Sequence, residues 1–295
     1  MWYILPSDVS FVTVLLYHIF LCITIGASLE RNDFMSTNII YCFSGTGNCL
    51  DFAKNLAKAL GDTDIVMMRS QPIVTDATQA KRVGFVFPCH GGGLPGGVEE
   101  FMKSVKIGPD AYVFGISQSA SYLGTGLYKL NKIHPLSYWK GVTHQCTCIW
   151  LFPHTLMLPP TTPKLAQKRS EKLAAKIARE ILAGKVTEKE PPCNPFNSVE
   201  SKAWPKLAGK KAKKLSVNKD TCVSCGQCAK LCPKGNIKFV DGHPTFGTDC
   251  IQCLGCLQYC PTESIYMGKK TQKREHYHNP NITPEDLMQT VIHID

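Results

Sequence analysis

Asn38-Ile39-Ile40-Tyr41-Cys42-Phe43-Ser44-Gly45-Thr46-Gly47-Asn48-Cys49-Leu50-Asp51-Phe52-Ala53 is the stretch on which the fold turns. A short apolar run, residues 39–43, ends in a turn of glycines and hydroxyls. A helical pattern then begins near Cys49, with Ala53, Leu56, Ala57 and Leu60 on one face. A glycine turn at a helix start presents backbone N–H groups and hydroxyl donors, which suit a phosphate. The turn has neither the lysine of a GxxxxGK[ST] loop nor the GxGxxG spacing, so an NTP–Mg site and a dinucleotide fingerprint are both excluded. Outward from this unit, apolar runs recur at residues 64–68, 82–87, 111–116 and 145–152. Val98, Phe101, Met102 and Val105 mark a further helical face. Leu173, Ala174, Ile177, Ala178 and Ile181 lie on a long helix from about Pro163 to Leu182, with Gly184 as its stop. Strand runs alternating with helical patterns predict βαβ units: a doubly wound, five-stranded parallel sheet covered by helices over residues 35–185.

The second decisive stretch is rich in cysteine. The chain has 15 cysteines in 295 residues, and eight of them fall between Cys222 and Cys260. Length and clustering exclude a small secreted disulfide scaffold. Cys222-x2-Cys225-x2-Cys228-x3-Cys232-Pro233 is followed, 28 positions on, by Cys250-x2-Cys253-x2-Cys256-x3-Cys260-Pro261. Pro233/Pro261 and Ile237/Ile265 keep the same offset, so the block is an internal duplication. Three thiolates two residues apart can hold three irons of one cubane, while the fourth, before Pro, reaches the other cluster. The expected assignment is therefore crossed. Cys222, Cys225, Cys228 and Cys260 hold one [4Fe-4S] cluster, and Cys250, Cys253, Cys256 and Cys232 hold the other. A structural zinc site would use well-separated CxxC pairs and has no need of the third cysteine or the Cys-Pro.

Residues 219–267 resemble the bacterial-type two-cluster ferredoxin, a small α+β domain, with Asp241-Gly242 as a hairpin turn. The stretch 43–53 resembles the FMN phosphate loop of flavodoxins, Thr/Ser-x-Thr-Gly-x-Thr. Ser44, Thr46 and Gly47 match, and Cys49 replaces the last hydroxyl residue. The resemblance implies a flavodoxin-like fold and an FMN site at Ser44, Gly45, Thr46, Gly47 and Asn48. Two later loops would hold the ring. One carries His90 and Gly91. The other carries Ser119, Tyr122 and Gly124, with Tyr122 able to stack. The first ring loop has no Trp or Tyr, which would weaken flavin binding or leave one ring face open to a partner. A flavodoxin-like half followed by a linker and a two-cluster ferredoxin resembles the flavodoxin–ferredoxin fusion proteins of anaerobes.

The expected organisation is an apolar segment at 1–34, the α/β half at 35–185, a Pro/Lys-rich linker at 186–218, the ferredoxin block at 219–268 and a tail at 269–295. Pro191, Pro192 and Pro195 are expected to interrupt any helix in the linker. Thr283-Pro284-Glu285-Asp286 reads as a helix start in the tail. Residues 9–27 carry no Asp, Glu, Lys or Arg, enough for one membrane span. They are read either as an anchor that leaves the folded parts cytoplasmic or as a gene-model extension ahead of Met35. Of the other cysteines, Cys89 could be redox-active and Cys146-x-Cys148 reads as strand. His276 and His278 could form a metal pair or simply pack the tail.

The formal net charge is +10. Each oxidised cubane with four thiolates carries about −2 and an FMN phosphate up to about −2, which brings the holoprotein nearer about +4. The excess sits largely in the linker lysines, without interleaved aromatics. That excludes a single-strand nucleic-acid surface and suits an acidic redox partner. No acid–base dyad or nucleophile stands out, so no catalytic residue is assigned. The expected function is low-potential electron transfer between FMN and two [4Fe-4S] clusters. The alternatives are a flavin-dependent quinone or nitro-compound reductase fed by its own clusters, and an iron–sulfur carrier whose α/β half no longer binds FMN.

Overall fold

Strand β1 (Asn38–Cys42) is buried along its whole length and leads into helix α1 (Asn48–Leu60). Strands β2 (Thr63–Met67), β3 (Arg82–Pro88), β4 (Tyr112–Ser119) and β5 (Tyr138–Thr143) complete a parallel sheet in the order β2-β1-β3-β4-β5. Helices α2 (Val98–Ser104), α3 (Gly126–Ile133) and α4 (Pro163–Leu182) cover it. This computed structural model describes residues 36–70, 74–152 and 161–295. The apolar segment at 9–27 and the candidate start at Met35 lie outside them. Among the described residues no helix is long and apolar enough to cross a membrane.

The strand order is that of the doubly wound flavodoxin-like fold, whose ligand crevice opens where the order reverses, between β1 and β3. The periodicity behind the prediction is realised. Ala53, Leu56 and Ala57 of α1 and Ala174, Ile177, Ala178 and Ile181 of α4 share one core with Ile40, Ile65 and Val86. Thr162 caps α4, accepting from Leu165 N at 3.3 Å, and Pro163 takes the first helical position. Gly184, at φ 68°, closes the helix: its N–H reaches Ile181 O and Lys185 N–H reaches Glu180 O.

Three elements differ from expectation. The fifth strand is Tyr138–Thr143, not residues 145–152. As an edge strand it alternates buried and exposed residues and carries Lys140, so it has no continuous apolar run. Residues 145–152 are apolar because they line a cavity and pack on the cysteine-rich block, where Ile149 joins its core. Secondly, the sheet has a sixth strand, from the far end of the chain. The C-terminal Val291–Ile294 pairs antiparallel with β2, Ile292 opposite Ile65. Thirdly, the linker is helical. Asn194 caps α5 (Pro195–Ala212), accepting from Phe196 N at 2.8 Å, and Pro195 sits at its first turn, where a missing N–H costs nothing. The helix also accommodates Pro205.

Beyond α5 the chain forms β6 (Leu215–Val217), α6 (Gln227–Leu231), the hairpin β7 (Ile237–Val240) and β8 (His243–Phe246), then α7 (Gly255–Gln258) and β9 (Ile265–Met267), which pairs with β6. Asp241 and Gly242 turn the hairpin with φ of 50° and 77°, as a two-residue turn requires. The tail supplies α8 (Pro284–Met288) and, as the sixth sheet strand, β10 (Val291–Ile294). Thr283 and Asp286 form a full capping box at α8.

Candidate functional site

The eight cysteines of the duplicated block separate into two groups in space. Cys222, Cys225, Cys228 and Cys260 line one small cavity, with Phe239, Pro261 and Ile265. Cys232, Cys250, Cys253 and Cys256 line another, with Pro233, Phe246 and Met267. Each motif thus sends its Cys-Pro cysteine to the other's cavity. The backbone repeats the pattern as well. Ser224 and Gln252, then Gly226 and Leu254, then Gly235 and Glu263, all have positive φ and are each 28 residues apart. Non-glycine residues in that region cost energy, so the shared strain marks loops wound to aim their sulfurs. Asn236 N–H donates to Cys232 Sγ and Ser264 N–H to Cys260 Sγ, both at 3.3 Å. Such bonds to sulfur tune a cluster's potential. Burial pushes the Cys228 thiol up to about 11 and the Cys253 thiol up to about 12. Thiolates at these positions need a cationic partner. Among the described residues no three His, Cys, Asp or Glu side chains converge on a single-ion site.

A third, larger cavity of about 300 Å3 opens at the carboxyl ends of the parallel strands. Of the loop residues named from sequence, Ser44, Gly45, Thr46 and Asn48 line it, as do His90, Gly91, Ser119 and Tyr122. Gly47 and Gly124 stand behind its wall. Gly47 backs onto the Tyr259 hydroxyl and Asn279, and Gly124 onto Cys89 Sγ and Gly92 O. Among the described residues, no backbone N–H from Ser44 to Leu50 donates to a protein acceptor, and Gly47 gives α1 no side-chain cap. A row of free donors at a helix start suits an anion. Asn48 is already engaged, because its Oδ1 accepts from the Tyr277 hydroxyl and Asn279 Nδ2, each at 3.1 Å.

Residues 215–238 match the 4Fe-4S binding domain family. The match runs from β6 through the first cysteine motif to the start of β7 and does not reach the second motif. No curated protein matches the chain in sequence. Solved structures with a similar fold include a putative flavoprotein from Bacteroides eggerthii, at 17% identity over 47% of this chain and 98% of that one, TM-score 0.30. A flavodoxin from the domain Archaea aligns at 14% identity over 49% and 99%, TM-score 0.32. Rubredoxin oxygen:oxidoreductase of Desulfovibrio gigas aligns at 14% over 50% and 36%, TM-score 0.33. The fold assignment rests on the strand order above; the chemistry rests on the side chains.

Several of those side chains were not read from the sequence. Gln118, Gln145, His144 and Trp150 line the large cavity and carry buried polar atoms with no partner: both ends of each Gln amide, His144 Nε2 and Trp150 Nε1. Leaving such an atom unpaired costs about 1–3 kcal/mol, so this group fits a ligand with several ring-edge donors and acceptors. His144 Nδ1 accepts from Gln145 N–H at 2.9 Å, which leaves the proton on the Nε2 side. Burial lowers both His90 and His144 to about 4, so both are neutral at pH 7. Gln118 ends β4 and Gln145 follows β5, positions at which a strand end meets a ligand. That position was the available signal, and it was hidden for Gln145 by the misplaced fifth strand.

Cys253 connects the parts. It lines both the large cavity and the second cysteine cavity. A Cβ on Gly45 would lie 2.0 Å from the Cys253 carbonyl oxygen, so the anion loop and the cluster loop touch only because residue 45 is glycine. Arg69, just past β2, clasps the same corner, donating to Lys230 O at 2.7 Å and Leu287 O at 2.9 Å. Ser70 N–H reaches Pro233 O at 3.0 Å. By contrast, Cys225 is exposed beside Val223, which is 62% exposed. One cysteine group is therefore wedged against the large cavity, and the other meets solvent.

Proposed function

We propose that this chain is an electron-transfer protein that carries electrons between solvent-side partners and a buried FMN through two [4Fe-4S] clusters. Cys222, Cys225, Cys228 and Cys260 would hold the outer cluster, and Cys232, Cys250, Cys253 and Cys256 the inner one. The 44–50 loop would bind the FMN phosphate, and Gln118, His144 and Gln145 would meet the ring edge. The cubanes would supply one-electron transfer, and the flavin one- or two-electron chemistry. The observation that carries the reading is the double placement of Cys253 in the walls of the inner cluster cavity and the FMN cavity.

The chain's own residues do the positioning. Gly45 allows contact between the loops, Arg69 ties the end of β2 to α6 and α8, and Asn236 and Ser264 direct N–H groups at sulfur. All eight cubane corners are taken by cysteine, which leaves no iron for substrate. The lysines of α5 and the chain that follows suit an acidic redox partner, whose binding would weaken as salt is raised.

Cofactor content after anaerobic purification tests the reading. Two cubanes and one flavin predict about eight irons, about eight sulfides and one FMN per chain. Full iron and sulfide without FMN would leave the iron–sulfur carrier and remove the flavin.

A further inference from the structure

Helix α5, from the segment read as a linker, builds part of the wall of the large cavity. Gly91, Gly92 and Gly93 bare their α-carbons to it. Cβ atoms there would meet the Trp204 indole at 2.0 Å, Glu200 Oε2 at 2.6 Å and Ser201 Cβ at 2.8 Å. The triple glycine is thus a seat for the helix. Trp204 also stacks on Trp150, with ring centroids 5.6 Å apart. Trp204, Trp150 and Glu200 all line the cavity. The face that the flavodoxin-like loops leave without an aromatic is therefore covered from α5.

Among the described residues, Glu200 is the one Asp, Glu, Lys or Arg lining this cavity. The Tyr122 hydroxyl donates to both its carboxylate oxygens at 2.7 Å, so it is held in place. No cation forms an ion pair with it among the described residues. Lys211 Nζ lies 5.2 Å from the Trp150 ring centroid but does not line the cavity. A flavin ring that has taken two electrons and one proton carries one more negative charge than the oxidised ring. Glu200 is half-buried and its partner Tyr122 is 42% exposed, so the carboxylate sits at the cavity mouth. Held there without a counter-cation, it still disfavours that charge, at a strength reduced by solvent.

Resting on the FMN reading above, we propose that Glu200 is a redox-tuning residue, which α5 places in the flavin cavity to lower the affinity for reduced relative to oxidised FMN. The ring would thereby be kept at a potential low enough to exchange electrons with all-cysteine cubanes.

The experiment uses the full-length chain with both clusters in place. It measures the affinity for oxidised FMN and the midpoint potential of the bound flavin. Glu200→Gln keeps an acceptor for Tyr122. Its iron content should match wild type, while its preference for reduced over oxidised flavin should rise about tenfold or more, an upward shift in potential. Glu200→Asp should restore the wild-type value. Lys202→Gln, a charge change on the exposed side of the same helix, should leave the potential unmoved. An unchanged potential in Glu200→Gln, in protein that still binds FMN, overturns the tuning role and leaves the FMN reading standing. A wild-type chain with full iron that binds no FMN overturns both.

Discussion

At the scale of single residues, the crossed ligation makes a sharp prediction. Cys260→Ser should cost the cluster of Cys222, Cys225 and Cys228, taking iron to roughly half. Adding Cys222→Ser should then cost little more, whereas adding Cys250→Ser should remove the second cluster as well. Iron and sulfide analysis distinguishes these outcomes, and a Cys260/Cys250 pair no worse than Cys260→Ser alone would break the assignment. A second residue-scale prediction concerns pH. His293 on β10 donates through Nδ1 to Asp64 on β2 at 2.9 Å, which raises the imidazole above its ordinary value. A raised folded pKa stabilises the folded state fully below about 6.5, and the contribution is lost as pH rises through the raised value. The protection of the β10 amides, taken relative to the intrinsic base-catalysed exchange rate at each pH, should therefore fall from about pH 6 to 8 in wild type and stay level in His293→Gln.

At the scale of elements, legibility followed chemistry. The cysteine motifs were readable because iron geometry dictates their spacing, and the buried strands because burial on both faces leaves an apolar run. Strand β5 was not, because an edge strand needs no such run. Residues 145–152 imitated a strand because a cavity wall and a neighbouring core both want apolar side chains. Helix α5 was hidden since it covers a loop and a cavity instead of seating one face in a core, so its apolar residues are scattered: Phe196 and Val199 are exposed while Ala208 is buried. Strand β10 is only four residues long, and its partner lies more than 200 positions away. Helix α8, by contrast, announced itself by its cap. Removing that cap in Thr283→Ala should cost about 1 kcal/mol in denaturant unfolding. Arg69→Ala loses carbonyl hydrogen bonds to α6 and to the last turn of α8 together, and should cost about 2 kcal/mol and speed aerobic loss of the inner cluster more than of the outer.

At the scale of the whole molecule, the sequence read as two halves joined by a linker, but the described residues from 36 onward interlock. The tail crosses back: Asn279, fully buried, donates to Asn48 and Gln167, and His278 stacks on Tyr259 with centroids 4.4 Å apart. His278 thus has a packing role. The cysteine block carries the anion loop against Cys253, and α5 closes the cavity over both. Gly45→Ala should accordingly act on two sites at once. Its Cβ cannot coexist with the Cys253 carbonyl, so FMN affinity and inner-cluster content should fall together while the outer cluster stays.

Under the proposed function, electrons reach a bound FMN through the clusters. Anaerobic stopped-flow mixing with a reduced ferredoxin, a donor too large for a cavity of about 300 Å3, tests it most directly. Cluster absorbance should bleach first and the bound flavin should follow, at a rate independent of protein concentration. A flavin that stays oxidised while both clusters are reduced would contradict the account.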